Sequence, residues 1–273
     1  MCGSCNQKPI KSEGLVADTL PQASQMEDSL VEQEETYIQE DMDFLDYVYK
    51  PSSIPAESGI VLLPKGNYDS LKSAIEKERR RFYEQLEIIS NNADSLTVID
   101  SATNYLEKMV LNSLLPHWYG TRWTYEGHTN VPQEGSVACG YLVSTVLKHA
   151  AFNLNRYRVA QQYSIDIAKI LQGDTSLIML EDVSLKYFVE KVKDEFEEGL
   201  YVVGLSNHVG FLLKRASEVY FIHSSYVDPV KVIIENANGS FALSSSSFYA
   251  IGKLTTSRKV IEKWIRGEEF EIM

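Results

Sequence analysis

Three cysteines and five histidines hold most of the nucleophilic and metal-binding capacity of this 273-residue chain. Cys2 and Cys5 lie in a polar N-terminal stretch, whereas Cys139 stands alone in the apolar-rich remainder, which excludes a disulfide framework there. Around Cys139 the sequence reads GSVACGYLVSTVL, a glycine-bearing turn followed by cysteine as the first residue of an apolar helix. The partial positive charge and free amides of a helix N-terminus favour a thiolate, and the same amides can cradle an oxyanion. The segment reads equally well as a small buried cysteine filling a gap between helix and sheet. A cysteine nucleophile needs a base within reach and a third polar group to orient that base. His208 opens SNHVGFLLK and His223 ends EVYFIHSS, a spacing that fits two adjacent antiparallel strands joined around Lys214–Glu218. Alternation puts His208, Gly210 and Leu212 on one side of the first strand and pairs Phe221 with His223 on the second. Direct pairing of the strands then brings both imidazoles side by side at one end of the sheet.

The other candidates read more plainly. Cys139, His208 and His223 have the ligand types for zinc but not the close paired spacing of zinc motifs, so no metal is expected. His117 and His128 flank an aromatic loop and read as surface histidines. His149 lies nearly three helical turns beyond Cys139, too far to act as its base. Asp228 reads as a turn residue beside Pro229. No phosphate loop, dinucleotide fingerprint or paired-carboxylate signature occurs, and no cofactor is expected.

Three segments, Ala138-Cys139-Gly140-Tyr141, His208-Val209-Gly210-Phe211 and Phe221-Ile222-His223-Ser224-Ser225, resemble in order and type the NlpC-like branch of papain-fold cysteine peptidases. The resemblance covers roughly residues 115–254, and the strand pair is its most specific part. It implies a papain-like α+β fold with Cys139 as nucleophile, His208 as general base and acid, and His223 as the orienting residue. It also implies a tyrosine near the oxyanion site, for which Tyr119 in HWYGT is the best match, and a peptide substrate of cell-wall (muropeptide) type. The sequence departs from the family's Asp-Cys-Ser-Gly at Ala138, Gly140 and Tyr141, and the 119–139 and 139–208 intervals are long. An acyl or amide transferase on the same fold, and a catalytically silent envelope-binding module, are the alternative readings.

Periodicity supplies the elements that must position these residues. Leu71, Ile75, Phe82, Leu86 and Ile89 mark an amphipathic helix, and Leu96 to Leu115 a second that Pro116 ends. An aromatic loop follows from His117 to Gly135, in which Trp118, Trp123 and Tyr125 would form a cleft wall. Helical patterns cover residues 139–151, 157–171 and 183–196. After Gly199 the period changes to short β-branched runs at 200–205, 208–214, 218–224, 230–234 and 248–254, with Asn238-Gly239 as a hairpin turn between the last two. Residues 257–266 could close the chain as a helix. Helices first and an antiparallel meander afterwards define an α+β class.

With 44% hydrophobic residues the chain can bury a sizeable core, and no apolar run reaches the length of a membrane span. The net charge of −12 argues against nucleic acid as a partner. It is uneven: residues 1–66 carry 12 acids against 4 lysines. That segment reads as an acidic, largely disordered leader, residues 67–273 as the catalytic domain, and 67–115 within it as a helical extension. Met1-Cys2-Gly3-Ser4-Cys5 has no apolar signal core, which makes the chain cytoplasmic as written. A cysteine heading a polar tether is nonetheless like the mature start of a bacterial lipoprotein. A misplaced gene start would make Cys2 or Cys5 the lipid-bearing residue and put the protein in the cell envelope. No oligomeric state follows from the sequence.

Overall fold

The computed structural model describes residue 54 and residues 58–89, 92–173 and 176–272. The described residues fall within one compact unit, Asp43–Met273. The leader's cysteines and the disorder expected of its first 53 residues lie outside them.

The helices α1 (Tyr68–Ile88) and α2 (Asn92–Met109) come first, and a π-helical turn (Val110–Leu114) leads into α3 (Leu115–Trp118). The expected stop at Pro116 is therefore a correction. The π turn closes with the Leu115 amide on the Val110 carbonyl, and Pro116 sits in the first turn of α3, where a missing N–H is tolerated. Next come α4 (Cys139–His149), α5 (Arg156–Ala160) and α6 (Ser164–Gln172). The single pattern read over 157–171 is two helices, because the chain turns to lay α6 directly on the sheet. A Cβ at Gly204 would meet the Ser164 carbonyl at 2.5 Å, and one at Gly252 the Ala168 carbonyl at 2.9 Å.

The strands are β1 (Ile178–Glu181), β2 (Gly199–Gly204), β3 (Val209–Arg215), β4 (Glu218–Ser224), β5 (Val232–Asn236) and β6 (Phe248–Lys253). They are joined by α7 (Leu185–Glu195) before β2 and α8 (Phe241–Ser244) before β6, and α9 (Arg258–Arg266) follows the last strand. All pairings are antiparallel, in the order β1-β6-β2-β3-β4-β5. The α+β class holds. The hairpin expected at Asn238-Gly239 does not form: β5 pairs with β4, whereas β6 crosses to lie between β1 and β2. Asn236 instead accepts from the Asn238 amide and starts a 3-10 turn that leads into α8.

The sheet is buried on both faces, and all six residues of β2 are buried. One face (Val202, Phe211, Leu213, Ile222, Ile234) packs into the main core with α1, α2, α4, α6 and α9. The other (Val203, Leu212, Phe221, Tyr249, Ile251) packs under α7 and α8. The 67–115 helices belong to the main core: Ile75 and Phe82 are seven residues apart on α1, and the Phe82 ring lies 6.5 Å from that of Trp264 on α9. Ser58 is buried, and Ile54, Ile60 and Leu62 pack on the same core, so the packed body begins before Asn67. Among the described residues no helix is long and apolar enough to cross a membrane.

Candidate active site

Cys139 is the first residue of α4. Its N-cap is Ala138, whose side chain caps nothing, so the amides of the first turn have no side-chain acceptor there. The segment before the helix is tied to the sheet: Ser224, next to His223, donates its hydroxyl to the Val137 carbonyl at 2.6 Å. Position 140 has no room for a side chain such as serine, since a Cβ there would meet the Ala160 carbonyl at 2.7 Å. The departure at Gly140 thus follows from the close crossing of α5.

His208 immediately precedes β3 and is 2% exposed; His223 lies on β4 and is 1% exposed. The register pairs Phe211 with Ile222, and one further step puts His223 opposite Gly210. The rings meet with His208 Nε2 2.8 Å from His223 Nδ1 and their planes nearly perpendicular, at 89°. Gly210 makes this possible. A Cβ at that position would stand 2.6 Å from Phe221 Cε2, and the Phe221 ring is stacked on His223 at 4.3 Å between centroids.

Sequence reasoning missed the next member of the array. His223 Nε2 lies 3.2 Å from Glu235 Oε1 on β5. The β4–β5 register pairs Phe221 with Glu235, so Glu235 is a diagonal neighbour of His223 on the same face. A carboxylate only accepts, so Nε2 of His223 carries a proton. In the neutral pair His223 Nδ1 is then bare and accepts from His208 Nε2–H. Nδ1 of His208 is left with its lone pair, in the state a general base needs. A second proton on the His223 ring would reverse the inner bond and put a proton on His208 Nδ1.

The turn that carries His208 is fixed on several sides. The Leu205 amide donates to the His208 carbonyl at 2.8 Å, and Ser206 bonds the hydroxyls of Ser246 and Ser247 at 3.2 and 2.9 Å. Burial, and then the neighbouring His223, hold the His208 imidazole well below its ordinary value. The Cys139 thiol departs from the expectation of a lowered value. Burial pushes it up, and outweighs the backbone amides of Val209, Gly140 and Cys139 itself, which act to lower it. Both shifts favour the neutral forms, a thiol on Cys139 and an imidazole on His208.

Cys139 and His208 together line two adjoining cavities, of about 450 and 590 Å³. Tyr125, Gln162 and Asn207 line both, Tyr163 one, and Trp123 and Tyr226 the other, so the cleft extends to either side of the cysteine. Among the described residues no carboxylate, lysine or arginine lines either cavity. The Tyr226 ring stands 5.1 Å from that of His208. Trp123 and Tyr125 thus belong to the residues that line these cavities. Trp118 and Tyr119 do not: both are fully buried in the main core, with the Trp118 indole donating to the Tyr68 hydroxyl at 2.6 Å. The Tyr119 ring points into packed hydrocarbon because it follows directly on α3. The Asn207 side chain and the amides at the start of α4 are donors that line the cleft, whereas the Gln162 side-chain amide donates to the Arg158 carbonyl at 2.9 Å.

His128 is exposed, His117 is half-buried, and His149 sits at the far end of α4 with Nδ1 2.9 Å from the Tyr68 hydroxyl. Among the described residues no three His, Cys, Asp or Glu side chains are grouped so as to hold a metal ion. No family model, curated protein or solved structure matches the chain.

Proposed function

We propose that this protein is a thiol-dependent hydrolase of amide bonds, built on a papain-like arrangement of a nucleophile helix against an antiparallel sheet. The observation that carries the reading is the linear array His208–His223–Glu235, whose hydrogen-bond polarity leaves a bare ring nitrogen on the residue that shares the Cys139 cleft. Cys139 attacks the carbonyl as His208 takes its proton. A thioester forms and the C–N bond breaks, with His208 returning the proton to the departing amine. Water, deprotonated by His208, then releases the acid.

Within that class, the substrate is a peptide of bacterial cell-wall type. The support is the resemblance of the Cys, His and His segments to NlpC-like peptidases, together with the two cavities that share Cys139 and His208. Their aromatic and amide lining suits uncharged groups next to the scissile bond. The space beyond Cys139 also admits an amine in place of water, which keeps amide transfer as the second reading. The test is mass spectrometry of peptidoglycan incubated with the wild-type protein and with Cys139→Ala, with and without an added amine. New free peptide ends with the wild type alone support hydrolysis, and amine adducts support transfer. Identical profiles for the two proteins would remove both.

A further inference from the structure

At the end of α4 remote from Cys139, roughly 15 Å along the helix axis, a separate cavity of about 550 Å³ opens. Lys72 and Arg79 of α1, Lys148 of α4 and Arg156 of α5 line it, against the single carboxylate of Glu76. This concentration of positive charge runs against a chain of net charge −12.

Part of the charge is accounted for within the fold. Arg79 bonds Glu76 at 3.0 Å and the Ile265 carbonyl at 2.8 Å. Lys72 pairs at 2.6 Å with Asp69, whose side chain is 84% exposed. Arg156 is different. It is 8% exposed, yet its partners are all neutral: the Thr129 and His128 carbonyls, the Thr145 hydroxyl at 2.6 Å, the Tyr157 hydroxyl, and the faces of the Tyr157 and Tyr141 rings at 4.3 and 5.6 Å. Among the described residues no carboxylate pairs with Arg156 or with Lys148. A buried cation is normally matched by an anion. His149, in the same wall, senses the field: burial first, then Lys72 and Arg156, push its imidazole down to about 4, with Lys148 acting in the same direction and Asp69 against it.

We propose that this cavity binds a compact polyvalent oxyanion of the diphosphate type. Cations on three separate elements match several charged oxygens better than one, and the volume falls within the range of small-ligand sites, about 300–1,000 Å³. The site is independent of the cleft at Cys139 and does not rest on the reaction assigned there.

The test titrates the full chain with pyrophosphate by calorimetry and thermal melting at constant ionic strength, with sodium chloride as the control and citrate as the carboxylate arm. His149 is followed by NMR in parallel. Saturable pyrophosphate binding is expected, with a raised melting temperature and a higher His149 pKa, because a nearby anion favours the imidazolium. The Lys72→Gln/Lys148→Gln double variant should weaken binding about tenfold or more. It leaves Arg156, which the fold uses, in place. No saturable binding beyond the chloride control, or equal binding by the double variant, overturns the site. Tighter binding of citrate than of pyrophosphate overturns the phosphate assignment.

Discussion

Glu235 decides which way the histidine array points, and replacing it is the sharpest perturbation of that array. Its carboxylate accepts from His223 Nε2 at 3.2 Å, with the side chain about one quarter exposed (25%). Glu235→Leu leaves a buried imidazole N–H with no acceptor, at about 1–3 kcal/mol. It also lets the His223 proton move to Nδ1, which turns His208 Nδ1 from acceptor to donor. Both effects fall on the reacting state, so the rate of reaction at Cys139 should drop about 10–100-fold. Glu235→Gln keeps an acceptor oxygen and loses the charge. Since a charge-assisted hydrogen bond is roughly twice as strong as a neutral one, a loss of about 1 kcal/mol, or about fivefold, is expected. Steady-state cleavage, or the rate of Cys139 alkylation near neutral pH with the site mapped by digestion, reads both losses. Rates within twofold of wild type in both variants would refute the relay.

Three further outcomes follow. Gly210→Ala drives a methyl into the Phe221 ring that stacks on His223; about 1–3 kcal/mol of stability and more than tenfold of activity should be lost, with chemical denaturation and cleavage rates as the checks. Ser224→Ala removes the buried bond to the Val137 carbonyl, which should cost about 1–3 kcal/mol and loosen the segment before Cys139, seen as faster amide exchange there. At the other end of α4, the Tyr68 hydroxyl accepts from the Trp118 indole and lies 2.9 Å from His149 Nδ1. With His149 pushed down to about 4 from 6.5, its contribution is fully present above pH 6.5 and is lost as pH falls toward 4, about 3 kcal/mol in all. The difference in unfolding free energy between wild type and His149→Gln, in buffer free of polyvalent anions, should shrink by that amount across the window; a constant difference would contradict it.

The histidine pair was legible in the sequence because it depends only on the two-residue period of strands and on a short connection between neighbours. Glu235 was not, since its place opposite Phe221 depends on the length and path of the 225–231 turn, which no local pattern specifies. Cys139 at a helix start was readable from its glycine-bearing turn and apolar run. The state of its thiol was not, because it depends on how deeply the sheet end and α5 bury it. Tyr119 was misplaced for a related reason: a π turn carries the helix past Pro116 and rotates the following residues into the core. Strand β1 escaped notice because four residues, half of them solvent-facing, gain their identity only by pairing with β6.

The central claim is that Cys139 is a nucleophile served by His208. Alkylation by iodoacetamide, mapped by digestion and mass spectrometry so that Cys2 and Cys5 are scored separately, tests it most directly in wild type and in His208→Gln. The expected result is modification of Cys139 in the folded wild-type protein at a rate at least about tenfold above that of His208→Gln near neutral pH. Equal rates in the two proteins, or a Cys139 that reacts only after unfolding, would contradict it.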